Sequence, residues 1–262
     1  MAEIKSYKPG TFCWADLSTT DPGAAKRFYS GLFGWETEDM PVPGGAAYTM
    51  ARIRGKDVAA ISGMMPDQRS KGIPPHWNSY VSVANVDEAV KKATSLGAKV
   101  LAPAFDVMDV GRMAVIEDPS GAALSLWQAK KHIGATLANE PGTVAWFELE
   151  TRNVDACGSF YTKLFGWGTE VMDTPEMKYT IFTDGSERRA GMMPMNKQTP
   201  ANVPSHWTVY FAVKDCDAVA KKVASTGGKT VVPPTDIPKI GRFSMHFDPQ
   251  GAFFALFQPT NM

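Results

Sequence analysis

The segment Trp14-Ala-Asp-Leu-Ser-Thr-Thr-Asp-Pro-Gly-Ala-Ala-Lys-Arg-Phe28-Tyr29-Ser-Gly-Leu-Phe-Gly34-Trp35 decides the fold, because the chain writes it twice. It returns as Trp146-Phe-Glu-Leu-Glu-Thr-Arg-Asn-Val-Asp-Ala-Cys-Gly-Ser-Phe160-Tyr161-Thr-Lys-Leu-Phe-Gly166-Trp167. Further along, Gly63-Met-Met-Pro66 recurs at Gly191 to Pro194, and Pro74-x-His76-Trp77 at Pro204 to Trp207. Gly111-Arg112 followed by Asp118-Pro-x-Gly121 recurs as Gly241-Arg242 followed by Asp248-Pro-x-Gly251. The order is kept throughout, which marks a duplication rather than scattered matches. Between the copies lies a polar, glycine-bearing stretch, so two domains are expected at 8–130 and 142–260, joined by a linker at 131–141.

Each half carries a coarser rhythm. Phe12 to Leu17 alternates like a strand, and Asp21-Pro22 opens an amphipathic helix through Phe33, with Asp21 as cap, Pro22 at the first helical position and Gly34 as the stop. Strand-like runs follow at Ala47–Ile53 and Val58–Met65, separated by the hairpin signal Arg54-Gly55-Lys56-Asp57. The pattern then restarts with a strand at Ser79–Ala84, a helix at Val86–Leu96 closed by Gly97, and strands near Arg112–Ile116 and Ala122–Trp127. Each half is strand-helix-strand-strand-strand performed twice, one strand of the later units having no clear pattern, and the chain holds four such units.

Composition narrows the function. With 262 residues, 44% hydrophobic and 21% charged, the chain is expected to be globular. Lys plus Arg equals Asp plus Glu at 27 each, so no overall field favours nucleic acid or an anionic membrane. The N-terminal Met-Ala-Glu-Ile-Lys-Ser-Tyr lacks the apolar run of a signal peptide, and the cytosol is the expected compartment. Cys13, Cys157 and Cys216 are odd in number, lack metal-type spacing and do not match between halves; they read as free thiols.

A βαβββ unit used in pairs, with Phe-Tyr-x-x-Leu-Phe-Gly-Trp at the helix end and a closing Asp-Pro-x-Gly, resembles the glyoxalase / bleomycin-resistance / extradiol-dioxygenase (vicinal-oxygen-chelate) superfamily, and in detail the tandem glyoxalase-like proteins of actinobacteria. The resemblance covers about Gly10–Gln128 and Gly142–Pro259. It implies an α+β fold of tandem glyoxalase-like domains, in which the four βαβββ units form two partly open β-barrels. It also implies a divalent metal inside each barrel, held by side chains from the first strand, the strand opening the second unit and the closing strand. Pairing of units within a half, or by exchange between halves or chains, is left open, as is a monomer or homodimer.

The implied ligand positions are poor in donors. Where the family places His or Gln, this chain has Trp14 and Trp146; at the second position stand Asn78 and Thr208, with His76 and His206 two residues away; on the closing strand Ser125 and Ala255 replace the usual glutamate. An indole does not donate to a cation and alanine has nothing to donate, so no metal and no cofactor are expected. The alternative is a displaced site pairing His76 with Asp16 or His206 with Glu148.

Strand alternation puts Trp14, Asp16 and Ser18 on one face and Cys13, Ala15 and Leu17 on the other, and the resemblance implies that the first of these, which carries the ligand position, faces the cavity. Trp146, Glu148 and Glu150 follow the same rule, and Ser125 with Trp127, or Ala255 with Phe257, share that face. The lining is aromatic with one recurrent carboxylate, which suits a small, mostly apolar ligand with a polar group. Asp16 and Glu148 are candidate acid–base groups, or else they satisfy donors at the barrel rim; Tyr48 and Tyr179 match between halves and are candidate hydrogen-bond donors. The candidate ligand-binding set is thus Trp14, Tyr48, Asn78, Ser125 and Trp127, with Trp146, Tyr179, Thr208 and Phe257. Arg112 and Arg242 read as structural, with Asp109 a possible partner of the first. The expected function is binding, or metal-independent turnover, of a small aromatic or polyketide-like molecule, with a metal-dependent lyase or dioxygenase as the alternative.

Overall fold

The computed structural model describes residues 3–42, 47–173 and 178–260. In the first half the order is β1 (Phe12–Thr19), α1 (Pro22–Phe33), β2 (Glu36–Pro41), β3 (Ala47–Ile53), β4 (Lys56–Gly63), α2 (Pro66–Ser70), β5 (His76–Ser82), α3 (Val86–Ser95), β6 (Lys99–Val107), β7 (Gly111–Glu117) and β8 (Ala123–Ala129). The second half gives β9 (Val144–Thr151), α4 (Val154–Phe165), β10 (Gly168–Asp173), β11 (Lys178–Asp184), β12 (Glu187–Pro194), β13 (His206–Ala212), α5 (Cys216–Ser225), β14 (Lys229–Ile237), β15 (Gly241–Phe247) and β16 (Phe253–Pro259).

The first helix forms for the reasons its sequence states. The Asp21 carboxylate accepts from the Ala24 amide at 2.9 Å, Pro22 occupies the first turn, and Gly34 ends the helix at φ 72°. Asn153 and Gly166 do the same for α4.

Each half makes its own eight-stranded sheet, in the order β2-β3-β4-β1-β5-β8-β7-β6 and β10-β11-β12-β9-β13-β16-β15-β14. The two units of a half therefore join through their first strands, which run antiparallel with Asp16 opposite Asn78 and Glu148 opposite Thr208. Among the described residues β2 and β6 pair with no further strand, so the curled sheet stays open along that seam. These edge strands are the ones without an apolar pattern: every residue of β2 is exposed, and β6 carries Pro103.

One face of both sheets, with the helices, builds a single core shared by the halves. Phe12 stacks on Phe147 at 4.2 Å between ring centroids, and Phe211 packs against Phe33 and Trp77. Reciprocal hydrogen bonds lock this junction. Trp77 donates to the Tyr29 hydroxyl, which donates to Asp248 across the junction at 3.1 Å. Trp207 donates to Tyr161, which donates to Asp118 at 2.9 Å. Trp35 and Trp167 donate to the carbonyls of Gly142 and Gly10 in the opposite half. The repeated Phe-Tyr, His-Trp and Asp-Pro-x-Gly motifs are thus largely the grammar of the junction.

Two expectations, the facing of Cys13 and the partner of Arg112, are corrected, and one repeat proves uneven. Cys13 belongs to the cavity-face cluster with Trp14, because a β-bulge between Phe12 and Trp14 breaks the alternation. The two Gly-Met-Met-Pro segments are not equivalent: Gly63 lies opposite Thr19 at the end of β4, whereas Gly191 lies opposite Glu148 in the middle of β12. Arg112 grips Asp87 at the start of α3, as Arg242 grips Asp217, while Asp109 pairs with Lys131.

Candidate functional site

The other face of each sheet carries a chain of four side chains, one chain per half. In the first half the Trp14 indole donates to the Tyr48 hydroxyl at 2.9 Å, and Tyr48 donates to Asp16 Oδ2 at 2.9 Å. Tyr80 donates to the same oxygen at 2.8 Å, and the Asn78 amide donates to Oδ1 at 2.8 Å and to Ser18 at 3.1 Å. In the second half Trp146 donates to Tyr179 at 3.1 Å, Tyr179 to Glu148 Oε2 at 2.6 Å, and Tyr210 to Oε1 at 2.5 Å. Thr208 turns away from this carboxylate and donates to Glu150 at 3.3 Å, which also faces His206 at 3.7 Å.

Register explains the convergence. Trp14 lies opposite Tyr80, and Trp146 opposite Tyr210, so each pair shares a face and places its tyrosine within reach of the carboxylate two residues on. Tyr48 and Tyr179 arrive from β3 and β11 across β4 and β12. In the second half this crossing requires Gly191, where a Cβ would stand 1.9 Å from the Tyr179 hydroxyl; the first half has Ala60 at that register.

Ser125 lies opposite Tyr80, and its hydroxyl faces that phenol. Trp127 lies flat over Gly111, where a Cβ would meet its ring at 2.2 Å, and its indole donates to the His132 carbonyl at 2.9 Å. At Gly241 a Cβ would first meet the Gln258 carbonyl at 2.3 Å and then the Phe257 ring at 2.8 Å. The glycine of each Gly-Arg motif thus clears space for an aromatic ring on the closing strand. Tyr80 and Tyr210 did not emerge from the sequence, although both follow a repeated histidine by four residues.

Burial raises the pKa of Asp16, partly offset by its donors Asn78, Tyr80 and Tyr48. Burial likewise lifts Glu148 to about 7, against its two tyrosine donors and with help from the nearby Glu150 charge. Tyr48, Tyr80, Tyr179 and Tyr210 are pushed up by burial and by the carboxylates, and stay protonated donors.

This donor set does not suit the divalent cation that the resemblance implies. At the first position the indoles of Trp14 and Trp146 are hydrogen-bond donors, at the second the Asn78 amide is directed to Asp16, and Ala255 offers nothing. For the displaced pairings, His76 and His206 bond through Nδ1 to the carbonyls of Pro74 and Pro204, and His206 Nε2 lies 3.7 Å from Glu150 rather than beside Glu148. Among the described residues no group of three or more His, Cys, Asp or Glu side chains is placed to hold a metal ion.

The sequence profile described as Glyoxalase/Bleomycin resistance protein/Dioxygenase superfamily matches residues 11–126 and 143–256. The chain belongs to this superfamily. Within it, a Mycobacterium tuberculosis protein, CFP32, whose name assigns it provisionally to the glyoxylases, is 46% identical over 99% of both chains. The anthracycline biosynthesis protein DnrV of Streptomyces peucetius is 32% identical over 95% of this chain and 94% of its own. The fold is that of solved members of the superfamily. A Mn(II)-bound glyoxalase from Novosphingobium aromaticivorans superposes with TM-score 0.65 at 15% identity, covering 96% of this chain and 82% of its own. The 2,3-dioxygenase LapB from Pseudomonas sp. KL28 does so with TM-score 0.65 at 14% identity, covering 98% and 93%.

Proposed function

We propose that this glyoxalase-superfamily protein binds a small, flat aromatic or polyketide-like molecule on the inner face of its sheets, without a divalent metal. The observation that carries the reading is that Trp14 and Trp146, at the first ligand position the resemblance implies, open a Trp–Tyr–carboxylate–Tyr chain in both halves. Indole and phenol rings supply stacking area, and the carboxylate supplies a strong acceptor for a ligand hydroxyl. The kinship with a protein named for anthracycline biosynthesis supports the same ligand class.

A catalytic version of this reading rests on Glu148. With a pKa near 7 it is poised to exchange a proton with a bound phenol or ketone at neutral pH. The test is a titration of full-length protein, purified without chelators, with 1,8-dihydroxyanthraquinone, alongside elemental analysis for metals. Saturable binding with well under one divalent ion per chain is expected. About one tightly held divalent ion per half, needed for binding, would replace this reading by a metal-dependent lyase or dioxygenase.

A further inference from the structure

The two halves repeat the same side-chain chain, but they do not present it alike. The segment joining the halves folds back over the first site. The His132 ring stands edge-on to Trp14 at 4.7 Å and to Trp127 at 6.1 Å, and its carbonyl takes the Trp127 indole proton. Its amide donates to Val110 at 3.0 Å. Three residues on, the Ala135 amide donates to the Cys13 carbonyl at 2.8 Å, and the Ala135 carbonyl accepts from the Tyr7 hydroxyl at 2.6 Å. Gly134 runs so close to β1 that a Cβ would stand 2.2 Å from the Cys13 oxygen, at φ +109°. Such an approach, built on a special backbone and several hydrogen bonds, is a seated plug and not a passing loop.

The consequence is read in exposure. Trp14 and Trp127 retain 4% and 6% of their surface. Their counterparts Trp146 and Phe257, with Phe243 beside them, stay half-buried. The two carboxylates are equally buried, at 5% exposure, and differ in their partners: Asp16 has three side-chain donors, one of them the Asn78 amide, while Glu148 has two and keeps acceptor capacity on both oxygens. Beside Glu148, the Glu150–His206 pair leads outward, with 30% of the His206 side chain exposed; the first half has Ser18 at the position of Glu150.

We propose that ligand binding is confined to the second half, where Trp146, Phe257 and Glu148 receive a planar aromatic bearing a hydroxyl group, and that the first site is a pseudo-site stoppered by His132–Ala135. The ligand class rests on the function proposed above; the confinement rests on the plug alone.

Two measurements on the full-length chain separate these parts. The first needs no ligand. Acrylamide quenching of tryptophan fluorescence is expected to show one accessible population, since every other indole is 4–6% exposed. Trp146→Phe should abolish that population and Trp14→Phe should leave it, each variant being first shown to be folded by circular dichroism. Loss of the accessible fraction in Trp14→Phe, or its survival in Trp146→Phe, overturns the confinement. In the second, calorimetric titration with 1,8-dihydroxyanthraquinone should give one equivalent per chain, weakened about tenfold or more by Glu148→Gln, which corresponds to about 1.4 kcal/mol. Two equivalents, or one equivalent indifferent to Glu148→Gln, overturns the assignment. No binding together with the expected quenching pattern sinks the aromatic-ligand reading and leaves the confinement standing.

Discussion

Glu148 is the side chain whose behaviour departs furthest from its behaviour in water. Its carboxyl ordinarily ionises near 4.5 and is here pushed up to about 7, because burial penalises the charged form more than two tyrosine hydroxyls favour it. The folded state therefore holds this proton more tightly than the unfolded chain. The resulting stability is present in full below pH 4.5, is lost as the pH rises to about 7, and is level beyond. Urea unfolding from pH 5 to 8 should show a fall from this group on the order of 2 kcal/mol in the wild type that is missing in Glu148→Gln. Equal pH dependence in the two proteins would refute the raised pKa. That a carboxylate recurs beside a tryptophan was legible in the sequence, since strand alternation alone aligns Asp16 with Trp14. Its partners Tyr80 and Tyr210 were not, because cross-strand register is set by the whole sheet and no local pattern reports it.

Among the elements, β12 shows how a single missing Cβ shapes the site. Gly191 lets the Tyr179 hydroxyl and the Trp146 indole lie against the backbone, where a Cβ would approach them to 1.9 and 2.9 Å. Gly191→Ala is expected to drive Tyr179 off Glu148 and to cost about 1–3 kcal/mol of stability by overpacking. Denaturant unfolding measures the cost, and weaker binding of 1,8-dihydroxyanthraquinone reports the displaced tyrosine. In the first half, on the β7–β8 pair, Gly111→Ala should displace the Trp127 ring, which a Cβ would meet at 2.2 Å, and so loosen the His132 plug. The expected readout is a rise in acrylamide-accessible fluorescence, and an unchanged accessible fraction would count against it. The sequence marks these glycines as repeated, yet the reason for Gly111 is an aromatic ring delivered by the neighbouring strand, and for Gly241 that strand's Gln258 carbonyl together with the Phe257 ring. Gly191 carries the opposite lesson: its motif matches Gly63 in letters, while the register sets the two apart.

At the scale of the whole molecule the halves are fused by a common core. Tyr29 and Tyr161 each lie fully buried and connect a tryptophan of their own half to an aspartate of the other. Tyr161→Phe leaves the Trp207 indole and Asp118 short of a partner in a buried place, at a cost of about 1–3 kcal/mol. Because the core is continuous across the junction, calorimetry should show one unfolding transition for the full chain, moved down by Tyr161→Phe but not split in two. Two separated transitions in the wild type would show that the halves fold independently. By itself, the sequence determined the duplication, the βαβββ units with their helix caps and the recurrent tryptophan two residues before a carboxylate, since all of these depend on local spacing and residue chemistry; that Trp14 and Trp146 stand at a metal-ligand position came from the resemblance to the superfamily. Only the tertiary structure decided which strands pair, which tyrosines reach the carboxylates and how the joining segment comes to lie over Trp14 and Trp127, because those contacts join residues far apart in the chain.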